Sequence, residues 1–285
     1  WSFHRESLMN DPLRAVLVGC GIASAKWLTA LRDVDRVEIV GLVDVNEKRA
    51  HREASTFNLK HVCIASDLEA ILKMTEPDAV FDCTPPENRL RIGKTALRNG
   101  CHLLTEKPMA ETLTHGHQLI REAEENQRIY AVIQNRRYTP HIRKVKSMID
   151  SNMIGRMTTV NCDHYVGAHY RGYRTHMAHP LLMDMGIHTC DAVRMLTGAD
   201  PIAVYCREWN PPGSWYEHAA SAVAIFDLTD DIVCTYRGSY CSEGMNTALE
   251  CDWRFVGENG SITWDGNARI QGQVVKTPPG VVEFN

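Results

Sequence analysis

Lys107, Asp184 and His188 are the residues of this chain whose types and spacing suit proton and hydride chemistry. Glu106-Lys107-Pro108 follows the apolar run Leu103-Leu104. A lysine there can hydrogen-bond a substrate oxygen and stabilise a developing alkoxide. Taken alone, the same lysine also reads as an ordinary exposed cation. Asp184 and His188 lie four residues apart, so on a helix they share one face, and Asp191 follows one turn on. A histidine of near-neutral pKa can take a hydroxyl proton while hydride leaves the same carbon. The carboxylate can orient that hydroxyl or hold the imidazolium. Surface ion pairs use the same spacing, so this pair needs context.

Gly19-Cys20-Gly21 supplies that context. It follows an apolar run, Val16-Leu17-Val18, and opens a helical one, the setting a dinucleotide fingerprint requires. Gly19 suits a tight turn. Gly21 lets backbone approach a pyrophosphate, whose charge then sits at the positive end of a helix beginning Ile22-Ala23. Ser24 replaces the third glycine and is small enough for helix–strand packing. The glycines by themselves equally suit a plain strand–turn–helix. Asp44 ends the next strand, where an acid can accept the adenosine ribose hydroxyls and repel a 2′-phosphate. NAD is therefore expected, with NADP left open by Arg49 shortly after. Asp44 also reads as a helix cap. Thr84-Pro85-Pro86 ends the fourth strand, and Thr84 and Pro85 should border the ligand.

These residues need elements to position them. Residues 14–133 alternate strand signals (15–18, 37–43, 62–64, 79–82, 102–104, 129–133) with helical ones (22–32, 47–56, 67–74, 88–99, 114–126). That is the pattern of βαβ units on a parallel sheet. A helix capped by Thr139, with Pro140 in its first position, runs to about Ile154-Gly155. Beyond it come strands at 157–165, 202–209, 221–227, 232–240, 249–256 and 261–264, with one helix, 181–196, stopped by Gly198. The expected fold is α/β: an N-terminal doubly wound Rossmann domain, 11–133, then an α+β domain, 134–285, with a large, mostly antiparallel open sheet. The second domain is expected to bind substrate.

The stretch 164–180 is rich in donors: His164, His169, Tyr170, Arg171, Tyr173, Arg174, His176 and His179. It suits a polyhydroxylated or anionic ligand. With Asp184 and His188 it could also hold zinc or manganese, but the spacings match no compact metal motif, so no metal is expected. Each residue taken singly also fits a solvated loop.

A hydrophobic share of 44% and a charged share of 23% are those of an ordinary globular protein. A net charge of −4 gives no reason to expect nucleic acid, and the basic run around Arg136-Arg137 and Arg143-Lys144 fits a solvated helix. No apolar run is long enough to span a membrane. The ten cysteines form no Cys-x-x-Cys pair; several, Cys83, Cys206 and Cys234, fall within apolar strand-like runs and read as small core residues of a reducing, cytoplasmic compartment. Residues 1–8 lack an initiator Met and read as vector-derived, with the native start near Met9. Val281-Val282-Glu283-Phe284 looks like the beginning of a strand.

From about Leu13 to Trp264 the chain resembles the Gfo/Idh/MocA family, that is, glucose–fructose oxidoreductase, inositol dehydrogenase and MocA-type proteins. The likeness rests on the Gly-x-Gly turn, Asp44, Thr84-Pro85, Ala96 to Gly100, Glu106-Lys107-Pro108, Asn135-Arg136-Arg137-Tyr138 and Ile154-Gly155. It rests further on Asp184-x-Gly186-x-His188-x-x-Asp191 and Gly257-x-x-Gly260-Ser261-Ile262. The resemblance implies a Rossmann domain and an open sheet whose free face supports homodimers or homotetramers. It implies catalysis by Lys107, Asp184 and His188, with His188 as acid/base. Gly19, Gly21, Ile22, Ala23, Asp44, Thr84, Pro85, Glu106 and Asn135 would then face the cofactor. Lys107, Arg136, Tyr165, His179, Asp184 and His188 would face the substrate. Three features depart from the family pattern. Arg89 stands where many relatives have histidine. His179-Pro180 replaces glycines, as in one branch. Relatives usually continue into a carboxyl-terminal helical segment, and the sequence given stops short of it: either the tail is missing from it or this member differs.

The expected activity is NAD(P)-dependent oxidation of a secondary alcohol on a sugar, sugar acid or cyclitol. Two other classes stay open. One is a sugar-sensing regulator that holds NAD without turnover, which would show bound cofactor and no absorbance change at 340 nm. The other is an NAD-using glycosidase, which would release p-nitrophenol without net NADH. A metal-dependent hydrolase ranks last.

Overall fold

The computed structural model describes residues 11–275. The expected start near Met9 and the strand expected at Val281 lie outside the described residues. The chain divides into two compact units between Ile133 and Gln134.

In the first unit, strands β1 (Leu13–Val18), β2 (Val37–Val43), β3 (Cys63–Ala65), β4 (Ala79–Asp82), β5 (His102–Thr105) and β6 (Tyr130–Val132) form one sheet. All its pairings are parallel, in the order β3-β2-β1-β4-β5-β6. Helices α1 (Ile22–Leu31), α2 (Glu47–Thr56), α3 (Leu68–Thr75), α4 (Arg89–Arg98) and α5 (Leu113–Glu125) connect them. The strands are apolar on both sides because both sheet faces are covered. Val16 and Val18 join one core cluster, while Ala15 and Leu17 join another. Helix starts follow the expected chemistry. Asn46 caps α2 at Lys48 N, Asp67 caps α3 at Ala70 N, and Thr112 caps α5 at His115 N. The strand order reverses between β1 and β4, and the crevice beyond the strand ends at such a switch point is where open α/β sheets bind ligands.

In the second unit, α6 (Pro140–Asp150) precedes β7 (Met157–Tyr165). Then come α7 (Ile187–Thr197), β8 (Pro201–Trp209), β9 (Ser221–Leu228), β10 (Val233–Ser239), β11 (Asp252–Gly257), β12 (Gly260–Trp264) and β13 (Ile270–Val274). The sheet order is β13-β12-β11-β7-β10-β9-β8. Only the central pair, β7 with β10, is parallel, so the sheet is mostly antiparallel. One face buries Val160, Cys162, Tyr236, Trp253, Phe255 and Trp264 with Ile142 and Val145 of α6 and Val193 and Leu196 of α7. The other face carries Arg237 paired with Asp163, Thr235 bonded to Asn161, and the exposed Tyr205, Ile225 and Val233.

Three local expectations change. Helix α6 ends four residues early because Asn152 and Gly155 both take left-handed backbone (φ 56° and 72°). Thr139 precedes it, but its hydroxyl donates back to Arg136 O rather than capping the helix. The helix expected at 181–196 begins with a π turn, Leu182–Gly186, before α7. It stops as expected at Gly198, φ 73°. Among the described residues no helix is long and apolar enough to cross a membrane.

Candidate functional site

In the first unit the strand ends meet at the switch point. Gly19 has φ 91°, a conformation that L side chains rarely adopt, and a Cβ there would lie 3.0 Å from Cys83 C and from Thr84 N and Cγ2. The turn after β1 is thus pressed against the end of β4. Gly21 caps α1 with no side chain bonded to the helix end and no acid in the first turn. Among the described residues a Cβ on Gly21 would meet nothing within 4 Å, and Ile22 beside it is 88% exposed. Open space therefore faces the positive end of α1, which fits a dinucleotide pyrophosphate. Ala23 is half-buried, and Ser24 is fully buried with its hydroxyl on Gly21 O at 2.6 Å.

Asp44 is buried. It accepts the Cys20 N–H at 2.9 Å on one oxygen and the Asn46 N–H at 2.8 Å on the other. It holds the glycine turn, and Asn46 rather than Asp44 caps α2. Each carboxylate oxygen keeps a lone pair for a ribose hydroxyl. Thr84 donates through N–H and hydroxyl to Asp82 Oδ1 at 2.8 and 2.6 Å, and Pro85 beside it is exposed. Glu106 accepts Trp27 Nε1 at 2.8 Å, which ties the end of β5 to α1. Lys107 is half-buried, and its carbonyl accepts Arg89 Nη2 at 3.2 Å. Arg89 is itself buried, so the residue that departs from the family pattern turns inward. Burial pushes the Cys20 thiol up to about 12, so Cys20 is no thiolate at neutral pH.

In the second unit the chemistry gathers where the π turn enters α7. Asp184 is buried and grips Arg174, whose Nε and Nη2 donate at 2.7 and 3.3 Å, while the Tyr240 hydroxyl donates at 3.2 Å. Burial and the neighbouring Asp184 charge raise the Tyr240 phenol, so it stays a donor. His188, also buried, sets Nδ1 3.2 Å from Gln134 Oε1. An amide oxygen only accepts, so in this arrangement Nδ1 is the donor of the pair. Asp191, expected on the same face, pairs with Arg137. Arg136 bonds Leu249 O at 2.6 Å, Glu250 at 3.2 Å and Met185 Sδ at 3.1 Å. Asn135 is exposed in the 3-10 turn Asn135–Tyr138. Tyr165, half-buried, ends β7 with its backbone bonded to Thr247.

The donor-rich loop is tied down by separate carboxylates, each at 2.7 Å: His169 to Glu243, His176 to Glu217 and His179 to Glu208. Trp215 stacks on His169 with centroids 3.7 Å apart, and Arg174 lies over the Tyr170 ring at 5.3 Å. His164 is fully buried and edge-on to Tyr240. Burial, then the Arg136 charge, lowers its pKa to about 4. Among the described residues no group of three His, Cys, Asp or Glu is placed to hold a metal ion.

Sequence reasoning missed Gln134, Tyr240 and Asp82, and it named Arg174 only as one donor among many. Arg174 and Asp184 are ten residues apart across a loop, and Tyr240 is 56 residues from Asp184. No periodicity links such positions.

Two family models cover most of the chain. One, described as the oxidoreductase family with NAD-binding Rossmann fold, matches residues 13–134. The other, described as the GFO/IDH/MocA C-terminal domain, matches residues 142–263. D-apiose dehydrogenase of Paraburkholderia graminis is 27% identical over 65% of this chain and 50% of its own length. An inositol 2-dehydrogenase of Saccharopolyspora erythraea is 24% identical over 70% of this chain and 58% of its own. The chain spans roughly half to two thirds of the length of the curated relatives it matches. An oxidoreductase from Agrobacterium radiobacter, crystallised with NAD+, L-tartaric acid and magnesium, shares the fold. Its TM-score is 0.85 at 20% identity, covering 95% of this chain and 81% of that one.

Proposed function

The chain belongs to the GFO/IDH/MocA family of oxidoreductases, with an NAD-binding Rossmann domain as its first unit. From that premise we propose that it reversibly oxidises a secondary alcohol of a sugar, sugar acid or cyclitol. NAD, when bound, supplies the hydride acceptor at nicotinamide C4. His188 takes the hydroxyl proton on Nε2, and the substrate carbon becomes a ketone as its hydride leaves. Asp184 orients the reacting hydroxyl. Lys107 stabilises alkoxide charge as it develops. Gly19, Gly21, Ile22, Ala23, Asp44, Thr84, Pro85, Glu106 and Asn135 hold the cofactor, while Arg136, Tyr165 and His179 contact substrate. The Asp44 carboxylate favours NAD over NADP.

One observation carries this reading. A buried carboxylate, gripped by a guanidinium and a phenol, lies one turn from a buried imidazole whose Nδ1 meets the Gln134 amide oxygen. Buried charge adds little net stability, so a cluster of this kind marks a working site. The names of relatives that act on inositol and D-apiose support the substrate class. The open sheet face supports self-association as a homodimer or homotetramer, which light scattering measures. Ten free cysteines support a reducing compartment such as the cytoplasm.

The test is a panel of myo-inositol, D-apiose, methyl β-D-glucoside, D-glucuronate and L-tartrate, assayed at 340 nm with NAD and NADP separately. At least one member reduces NAD, and His188→Ala lowers that rate by ~10²–10⁴ while NADH binding persists. Bound NADH without turnover of any polyol, or a His188→Ala variant of normal rate, defeats the proposal.

A further inference from the structure

Arg89, at the start of α4, is 2% exposed and belongs to a buried charged network at the ends of β4 and β5. Its Nη1 donates to Thr105 Oγ1 at 2.8 Å. Its Nη2 donates to Thr84 O at 3.1 Å and to Lys107 O at 3.2 Å. Those two carbonyls lie on the segments that leave adjacent strands. A single planar group therefore spans the Thr84-Pro85 turn and the backbone that carries the Lys107 side chain.

The counter-charge is Asp82, fully buried on β4. Its Oδ1 already receives the N–H and hydroxyl of Thr84. Its Oδ2 lies 3.4 Å from the Thr105 hydroxyl, which accepts from Arg89 and has the Asp82 and Glu106 carbonyls at 3.5 and 3.4 Å as its other acceptors. Burial pushes Asp82 up and Arg89 down, and the charge of each opposes the shift of the other. Among the described residues Arg89 Nε is buried with no hydrogen-bond partner. An arrangement with an orphaned donor and two desolvated charges is a poor way to stabilise a fold, because a well-packed apolar side chain does as well. What an apolar side chain cannot do is hold two carbonyls on neighbouring loops at one fixed separation.

We propose that Arg89 is a positioning residue: its guanidinium fixes the Lys107 backbone against the Thr84-Pro85 turn and so sets where the Lys107 ammonium stands during turnover. This rests on the proposed role of Lys107. A displacement of about 1 Å in a reacting group is enough for losses approaching 10²-fold.

The experiment is a double-mutant cycle on the full chain with Arg89→Met, Lys107→Met and both together, using the best substrate of the polyol panel above. Arg89→Met should lower kcat by about ten- to a hundredfold in the natural background and by less than about twofold when Lys107 is already Met. Substrate KM should change by less than about threefold, because the loss lies in the chemical step. Activity-independent evidence comes from trinitrobenzenesulfonate labelling followed by peptide mapping. The labelling rate of Lys107 should move in Arg89→Met while those of the remaining lysines do not. Arg89→Gln, which keeps a donor, serves as the second variant should the Met variant fold poorly, and is held to the same two criteria.

Equal losses in both backgrounds, or an unchanged kcat and labelling rate, overturn the inference and leave the role of Lys107 standing. A Lys107→Met enzyme of normal rate overturns that role, and the inference with it.

Discussion

Replacing Asp184 by Asn tests the grip at the centre of the second unit. Asn keeps the shape and can accept one bond from Arg174, but its NH2 group turns a donor toward Arg174 or Tyr240, both donors already. Hydrogen bonds to a charged group contribute about 1.5–3 kcal/mol, and removing one partner of a fully buried ion pair costs about 3–5 kcal/mol. The Asp184 side chain is 6% exposed and that of Arg174 31%, so water recovers part of the Arg174 charge. The expected loss is therefore about 2 kcal/mol, below the fully buried figure. For a unit of this size that lowers the melting temperature by about 4–8 °C in scanning calorimetry. Arg174→Met should show a similar loss, and the double variant should fall short of the sum by about 1–2 kcal/mol. Salt should change these values little, because the pair is largely shielded. An Asp184→Asn protein that melts within about 1 °C of the parent, or losses that simply add, refutes the claim that these groups form one buried unit.

Gly19→Ala should weaken NADH binding at least tenfold in a fluorescence titration and destabilise the first unit by about 1–2 kcal/mol, since φ 91° and three 3.0 Å contacts oppose a methyl group; undiminished affinity would show that the turn does not meet the cofactor. His164 should make stability fall with acid. Its folded pKa, about 4, lies below the unfolded value near 6.5, so between those values the unfolded chain binds a proton that the native chain refuses. The loss begins as pH drops through about 6.5 and reaches about 2–3 kcal/mol near pH 4.5. His164→Leu should flatten the curve in urea titrations at pH 7.5 and 4.5, and an unflattened curve would mean that the imidazole is not buried in neutral form.

Much of the first unit can be read from residue order, because its rules are local. Residues 39–43 and 79–81 are continuous apolar runs, and Asn46, Asp67 and Thr112 cap helices of this unit. Gly19 is legible because its turn admits no larger residue. The second unit is read less completely. Strand β13, Ile-Gln-Gly-Gln-Val, is short, with a glycine at its centre and no β-branched run, and it forms because β12 offers it a ladder. The π turn at Leu182–Gly186 leaves no trace in an apolar pattern that fits an α-helix equally well. At the site, types and spacing point to Lys107, Asp184 and His188, while their partners come from tertiary structure. Arg89 shows this best. In sequence it stands out from Arg91 only as a departure from the family pattern, and what it does there shows only in the converging carbonyls of Thr84 and Lys107.

The parallel pairing of β7 with β10 has a consequence for biosynthesis. As the nascent chain leaves the ribosome, everything that completes the first sheet has emerged by Val132, so that half can mature alone. β7 has no such timetable. Both of its neighbours, Val233–Ser239 and Asp252–Gly257, are translated some 70 to 100 residues later. Until then its two flanks stay bare, and ordering it requires closing a long chain loop, which is slow. A chaperone acting on this polypeptide would find its client in the interval between Tyr165 and Gly257, the window in which one strand waits for both of its companions.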